Sequence, residues 1–203
     1  VPRSKTDRLI FWPKLIKKEK IVDKRLTSIL SDYELICTDD TSKLLSLEKD
    51  HISGIISYLD IWQSKLYDDE ANAFEHFVAN GGGALLLHNG ISIQSQDRLL
   101  TLAGAKFLGH PHHEVIRFEP SAHPVTEGCK SFSLDEEPYQ FEFVPDNKKI
   151  ILTYQYKNQK YPADGEKGKG RLIYLCPGHT PEIFDCPQYQ QLIRQSMDWT
   201  LGN

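Results

Sequence analysis

The sequence predicts an α/β fold with a mostly parallel central sheet, and two observations carry that prediction. Short apolar runs alternate with amphipathic stretches along most of the chain, the signature of βαβ units. One run, Ala84–Leu87, is apolar without interruption, as expected of a strand buried on both faces of a parallel sheet. Taken in order, Leu9–Trp12 reads as a first strand closed by Pro13, and residues 18–31 follow with apolar positions at helical spacing. Glu34–Thr38 and Ile52–Leu59 read as the second and third strands. Asp68-Asp69-Glu70 then opens a helix with acidic residues in its first turn, and Asn80-Gly81-Gly82-Gly83 ends it. After Ala84–Leu87 a helix is expected from about Ser92 to Ala103. From Phe107 to Phe143 prolines, histidines and acids crowd together, which predicts an irregular β-rich insertion with short strands such as Val115–Phe118. Ile150–Tyr154 and Leu172–Cys176 return to strand, Gly165–Gly170 reads as a hairpin turn, and a last helix starts at Pro187.

The chain has 203 residues, a length that fits one domain spanning 1–203. Its net charge is −4, and it has no basic stripe to meet nucleic acid or anionic lipid. Its apolar runs fall far short of the ~18 residues of a membrane span. Nucleic acid and membrane are therefore excluded as expected partners. Residues 1–6 are expected to be a tag or a disordered start, since Met197 is the only methionine and no signal peptide is visible. Cytoplasm is the expected location. Four scattered cysteines make no disulfide scaffold, and Cys37 and Cys176, lying in strand-like runs, read as small buried hydrophobes.

Ligands of open α/β sheets bind beyond the carboxyl ends of the strands, and histidines stand there. His88 follows Ala84–Leu87, and His179 follows Leu172–Cys176. His88-Asn89-Gly90 occupies a strand-to-helix turn where hydrolases expose a nucleophile, but an imidazole suits proton transfer or metal binding rather than acyl transfer. A cysteine-dependent glutaminase is thereby excluded. Of the Gly109–His113 cluster, His110 is the functional candidate, while His112 and His113 read as solvated. His123 reads as structural. In Asp135-Glu136-Glu137-Pro138-Tyr139, the first two acids read as a solvated face. Glu137, fixed before proline, could orient imidazoles or complete a His/carboxylate metal site. Tyr139 and Phe141 suggest an aromatic wall. Glu182, three residues after His179, could orient it or merely complement a helix dipole.

Six segments in order, FVANGGGALLLHNG (77–90), LAGAKFLGHP (102–111), HPVTEG (123–128), DEEPYQF (135–141), GKGRLIYLCPGH (168–179) and MDWTLG (197–202), resemble the trehalose-utilisation (ThuA-like) family. That family is a branch of the class I glutamine-amidotransferase-like superfamily. The resemblance implies a flavodoxin-like three-layer sandwich that lacks the amidotransferase cysteine, and a link to catabolism of sugars and keto-sugars. It carries over to His88, His110, Glu137, Tyr139 and His179. It also implies that a divalent metal such as zinc is a candidate cofactor. Two departures stand out: a basic first loop (Lys14, Lys17, Lys18, Lys20) in place of a longer histidine-bearing one, and His179-x-x-Glu182 in place of His-x-Glu.

The expected catalytic residues are thus His88, His179 and Glu137. Asn89, Gly90, His110 and Tyr139 are expected to contact substrate, and His88, His110 and His179 are the candidate metal ligands. The expected partner is a small carbohydrate, and the aromatic content leaves room for a homodimer interface. Three readings compete: sugar chemistry by His/Glu acid–base catalysis, its metal-assisted variant, and a non-catalytic carbohydrate-binding or assembly protein.

Overall fold

The computed structural model describes residues 7–13, 19–143, 148–157, 159–167 and 171–203. The expectation for residues 1–6 lies outside these. The first half lays down β1 (Arg8–Trp12), α1 (Glu19–Ile29), β2 (Glu34–Cys37), β3 (Gly54–Ser57), α2 (Asp68–Ala79) and β4 (Gly83–Leu87). There follow α3 (Asp97–Ala103), β5 (Ala105–Gly109), β6 (Glu114–Pro120), β7 (Phe132–Glu136) and β8 (Gln140–Phe143). The chain closes with β9 (Lys148–Tyr156), β10 (Gln159–Lys167), β11 (Leu172–Leu175) and α4 (Pro187–Leu201).

Among the described residues, nine strands form one sheet in the order β2-β1-β3-β4-β11-β10-β9-β6-β7. The first five in that order pair in parallel, and β10, β9, β6 and β7 continue antiparallel. Helix α1 packs against α4, and α2 against α3, so helical layers flank the parallel strands. The sequence explains why β3, β4 and β11 lie at the centre: GIIS, GALLL and LIYL are buried at every position. A separate antiparallel pair, β5 with β8, forms in the predicted β-rich insertion. No helix among the described residues is long and apolar enough to cross a membrane.

Three local expectations change. The helix expected over Ser92–Ala103 is instead a 3-10 turn, His88–Ser95, followed by the short α3. Polar side chains there bond to neighbouring loops: Ser92 Oγ donates to Leu59 O (2.9 Å), and Gln96 Nε2 donates to Leu66 O (3.2 Å). Such bonds compete with helix continuation. The turn expected at Gly165–Gly170 is strand through Lys167, paired with both β9 and β11; residues 168–170 lie outside the described part. Register shifts between Pro162 and Gly165 accommodate residues that ordinarily break strands. Cys37 is exposed because β2 is an edge strand, whereas Cys176 is buried as expected.

Candidate functional site

Strand β4 delivers the chain to a sharp turn at His88, whose φ is +45°. A left-handed conformation at a non-glycine residue costs about 1–3 kcal/mol and persists only where the surroundings enforce it. The enforcement is visible in two close approaches. A Cβ on Gly90 would lie 2.1 Å from Ser57 O, and one on Gly178 would lie 2.5 Å from the His88 Cβ. Only glycine lets β3 and the loop after β11 approach the turn so closely.

His88 is buried, and its Nδ1 lies 2.9 Å from Cys176 O. A carbonyl only accepts, so Nδ1 carries the proton and the Nε2 of neutral His88 keeps its lone pair. That nitrogen faces the Tyr139 hydroxyl at 3.1 Å and Glu137 Oε2 at 3.5 Å. Glu137 Oε1 lies 3.1 Å from His179 Nδ1 and 3.7 Å from His110 Nδ1. His110 Nδ1 also lies 2.9 Å from Pro111 O. The Tyr139 hydroxyl donates to Asn89 Oδ1 (2.8 Å), and Asn89 Nδ2 donates to Asp60 Oδ2 (3.2 Å). Burial, with the Glu137 charge beside it, pushes the Tyr139 phenol well above its ordinary range, so it stays protonated.

These groups line a cleft of about 310 Å³ at the carboxyl ends of β3, β4 and β11. The structure thus brings together His88, Asn89, His110, Glu137, Tyr139 and His179, while Gly90 lies beneath them as a packing residue. The Phe107 ring lines the cleft 4.4 Å from that of Tyr139, whereas Phe141, expected in the aromatic wall, packs 6.2 Å from Tyr139 and is not among the lining residues. Glu182 does not orient His179; it is exposed and bonds the Thr180 hydroxyl. His123 is structural, accepting from Val125 N (3.1 Å) at the start of a 3-10 turn. His113 is exposed and paired with Asp135 (2.9 Å).

Glu136 overturns the expectation of a solvated face. Its side chain is fully buried. Oε2 accepts from Gly178 N (2.6 Å) and His179 N (3.1 Å), and Oε1 accepts from Glu137 N (2.8 Å). Burial outweighs these three bonds and pushes its carboxyl up to about 7. One carboxylate therefore fixes the backbone beneath both His179 and Glu137. Asp60, Trp62 and Phe107 are further lining residues outside the sequence-derived set.

His88, Glu136, Glu137 and His179 offer donor atoms that lie within 4.8 Å of one another; His110 is outside this group. Because Glu136 is committed to three amides, the usable donors are His88, Glu137 and His179. A His/Glu/His set of this kind suits a divalent ion such as zinc with an open position. The bond from His88 Nδ1 to a carbonyl is the outer-shell partner that orients a ligating imidazole.

Fold and elbow together define a glutamine-amidotransferase-like α/β sandwich whose turn residue is an imidazole. The profile of the family described as trehalose utilisation (ThuA) matches residues 11–200, and the chain belongs to that family. Among solved structures, a protein described as ThuA-like from Bacteroides uniformis superposes with a TM-score of 0.77 at 20% identity, over 96% of this chain and 91% of that one. Another, from Parabacteroides merdae, gives 0.78 at 14%, over 97% and 90%. A glutamine amidotransferase of Thermotoga maritima gives 0.63 at 10%, over 98% and 100%. A search of curated protein sequences returns no match.

Proposed function

We propose that the protein is a carbohydrate-metabolism enzyme that acts on a small sugar or keto-sugar by proton transfer, and not a glutaminase. The observation that carries this reading is Glu137, set between two imidazoles at 3.1 and 3.5 Å inside the cleft. His88 presents its Nε2 lone pair as general base, and Glu137 stabilises the imidazolium that forms. His179, with its side chain 37% exposed, exchanges the proton with solvent. Tyr139, held neutral, donates its one hydroxyl proton to Asn89 and leaves its oxygen to accept from a substrate hydroxyl. A divalent ion held by His88, Glu137 and His179 would add Lewis-acid polarisation of a carbonyl.

The test is turnover of a panel of mono- and disaccharides and their keto derivatives, run alongside metal analysis of the purified protein. Glu137→Gln and His179→Ala are expected to lower turnover by roughly 10²–10⁴-fold while the melting temperature holds. Metal lost in both variants would assign the metal-assisted form. Sugar binding without turnover of any member would replace this reading with that of a binding protein.

A further inference from the structure

Two chains of contacts converge on Tyr139, one apolar and one polar. The apolar chain runs from Trp62 to Phe107 (ring centroids 5.1 Å apart) and from Phe107 to Tyr139 (4.4 Å). The polar chain runs from Asp60 through Asn89 to the Tyr139 hydroxyl, which touches His88. Asp60 and Trp62 lie on the loop after β3, and that loop is pinned: Ser92 Oγ accepts from Ile61 N (3.0 Å) and donates to Leu59 O (2.9 Å). Trp62 nonetheless stays 36% exposed.

We infer that Trp62, Phe107, Asp60 and Asn89 form a subsite for one uncharged pyranose ring, seated against the rings with its hydroxyls on the polar chain. This rests on the carbohydrate reading and specifies the class of sugar. A pyranose has the matching amphipathy, with apolar C–H faces and a polar rim of hydroxyls. A carboxylate can accept several hydrogen bonds at once, so the bond from Asn89 is compatible with further bonds from sugar hydroxyls. Size limits the occupant: about 310 Å³ is at the low end for ligand pockets, enough for one ring and not two. Charge limits it as well. Among the described lining residues two carboxylates stand with three imidazoles and no lysine or arginine, so no permanent cation is there to pair with a sugar phosphate or sugar acid.

The experiment is saturation-transfer NMR of the full chain with D-glucose, D-galactose, D-fructose, trehalose, D-glucose 6-phosphate and adenosine. It uses wild type, Trp62→Ala, Trp62→Phe and Asp60→Asn. A neutral pyranose is expected to receive saturation on its ring C–H protons, with affinity falling about tenfold in Trp62→Ala, equivalent to about 1.4 kcal/mol. Trp62→Phe should retain most of it, and Asp60→Asn should lose several-fold. Trp62 is partly exposed, so these variants should keep the wild-type melt. Sugar binding unchanged in Trp62→Ala and Asp60→Asn would overturn the subsite and leave the carbohydrate reading standing. Preference for glucose 6-phosphate or adenosine would overturn the neutral-pyranose assignment. If no sugar in the panel binds wild type, the neutral-pyranose subsite fails, and the carbohydrate reading is decided separately by the turnover panel with its keto derivatives.

Discussion

His88 and Glu137 reach the same cleft from different halves of the sheet, and they are held there by different means. The parallel half holds His88 through strand register: β4 lies between β3 and β11, with Leu87 paired to Leu175 one residue before the turn. Packing then compels the conformation at His88, because Gly90 and Gly178 leave no space around it. The antiparallel half holds Glu137 through buried hydrogen bonds. Strand β7 is the last in the sheet order, yet its final residue, Glu136, bonds the backbone of Gly178 and His179 in the loop after β11. The same loop is strapped by the Tyr58 hydroxyl, which donates to Gly178 O, and by the Tyr189 hydroxyl, which donates to Pro177 O (2.5 Å). Both halves share one apolar core, but close packing sets His88, whereas a few polar contacts set Glu137. The two should therefore fail differently when perturbed.

The largest effect is expected on the packed side. Gly90→Ala drives a methyl group to 2.1 Å from a backbone oxygen that cannot swing away. The central strands or the turn must shift, at about 3 kcal/mol of global stability. Chemical denaturation measures this, and an unchanged midpoint would show that the turn is softer than its packing implies.

On the hydrogen-bonded side, Glu136→Ala leaves the buried amide N–H of Gly178 and the part-buried ones of His179 and Glu137 without their partner, at about 2 kcal/mol. The loss should be local. Amide exchange should accelerate at Glu137, Gly178 and His179, while β3 and β4 keep their protection. Glu136→Gln retains a carbonyl oxygen able to serve Gly178 and His179, so it should recover much of that protection. Uniform loss across the sheet would mean that the two halves are one cooperative unit.

The same contrast decides what could be read from the chain. Burial on both faces makes the parallel strands continuous apolar runs, so β4, β11 and the histidines that follow them are visible in one dimension. Glu137 and Tyr139 were legible because proline and aromatic neighbours mark a shaped loop. Glu136 was misread, although a signal existed: in Phe132–Glu136 the alternate positions Phe132, Leu134 and Glu136 share one face, and period two turns that face inward. Asp60 stands just after a predicted strand and could have been flagged by the strand-end rule that found the histidines. Trp62 had no such mark, since its role depends on Phe107, 45 residues on, coming within 5.1 Å. Strand β10 is not legible because Gly165–Gly170 reads locally as a hairpin turn, and only its two neighbouring strands make it extended as far as Lys167.

The smallest effect sharpens the comparison by acting on the parallel half without touching the cleft. Arg25 on α1 and Asp185 make a two-bond ion pair at 2.7 and 2.5 Å, and neither residue lines the site. The guanidinium bond holds the Asp185 carboxyl below the usual carboxylate range. A depressed folded-state pKa stabilises above the unfolded value of 3.8, and this stabilisation is lost as pH falls through the lowered folded value. The pair is largely exposed, so solvent screening limits it to a few tenths of a kcal/mol. Arg25→Gln should therefore melt slightly below wild type at pH 7, and the gap should close as pH falls below 3.8. Ligand affinity and the exchange rates at Glu137 and His179 should not move at neutral pH. If they did, α1 and the cleft would be coupled through the Pro181–Asp185 turn, and the parallel half would not be the independent frame on which His88 is set.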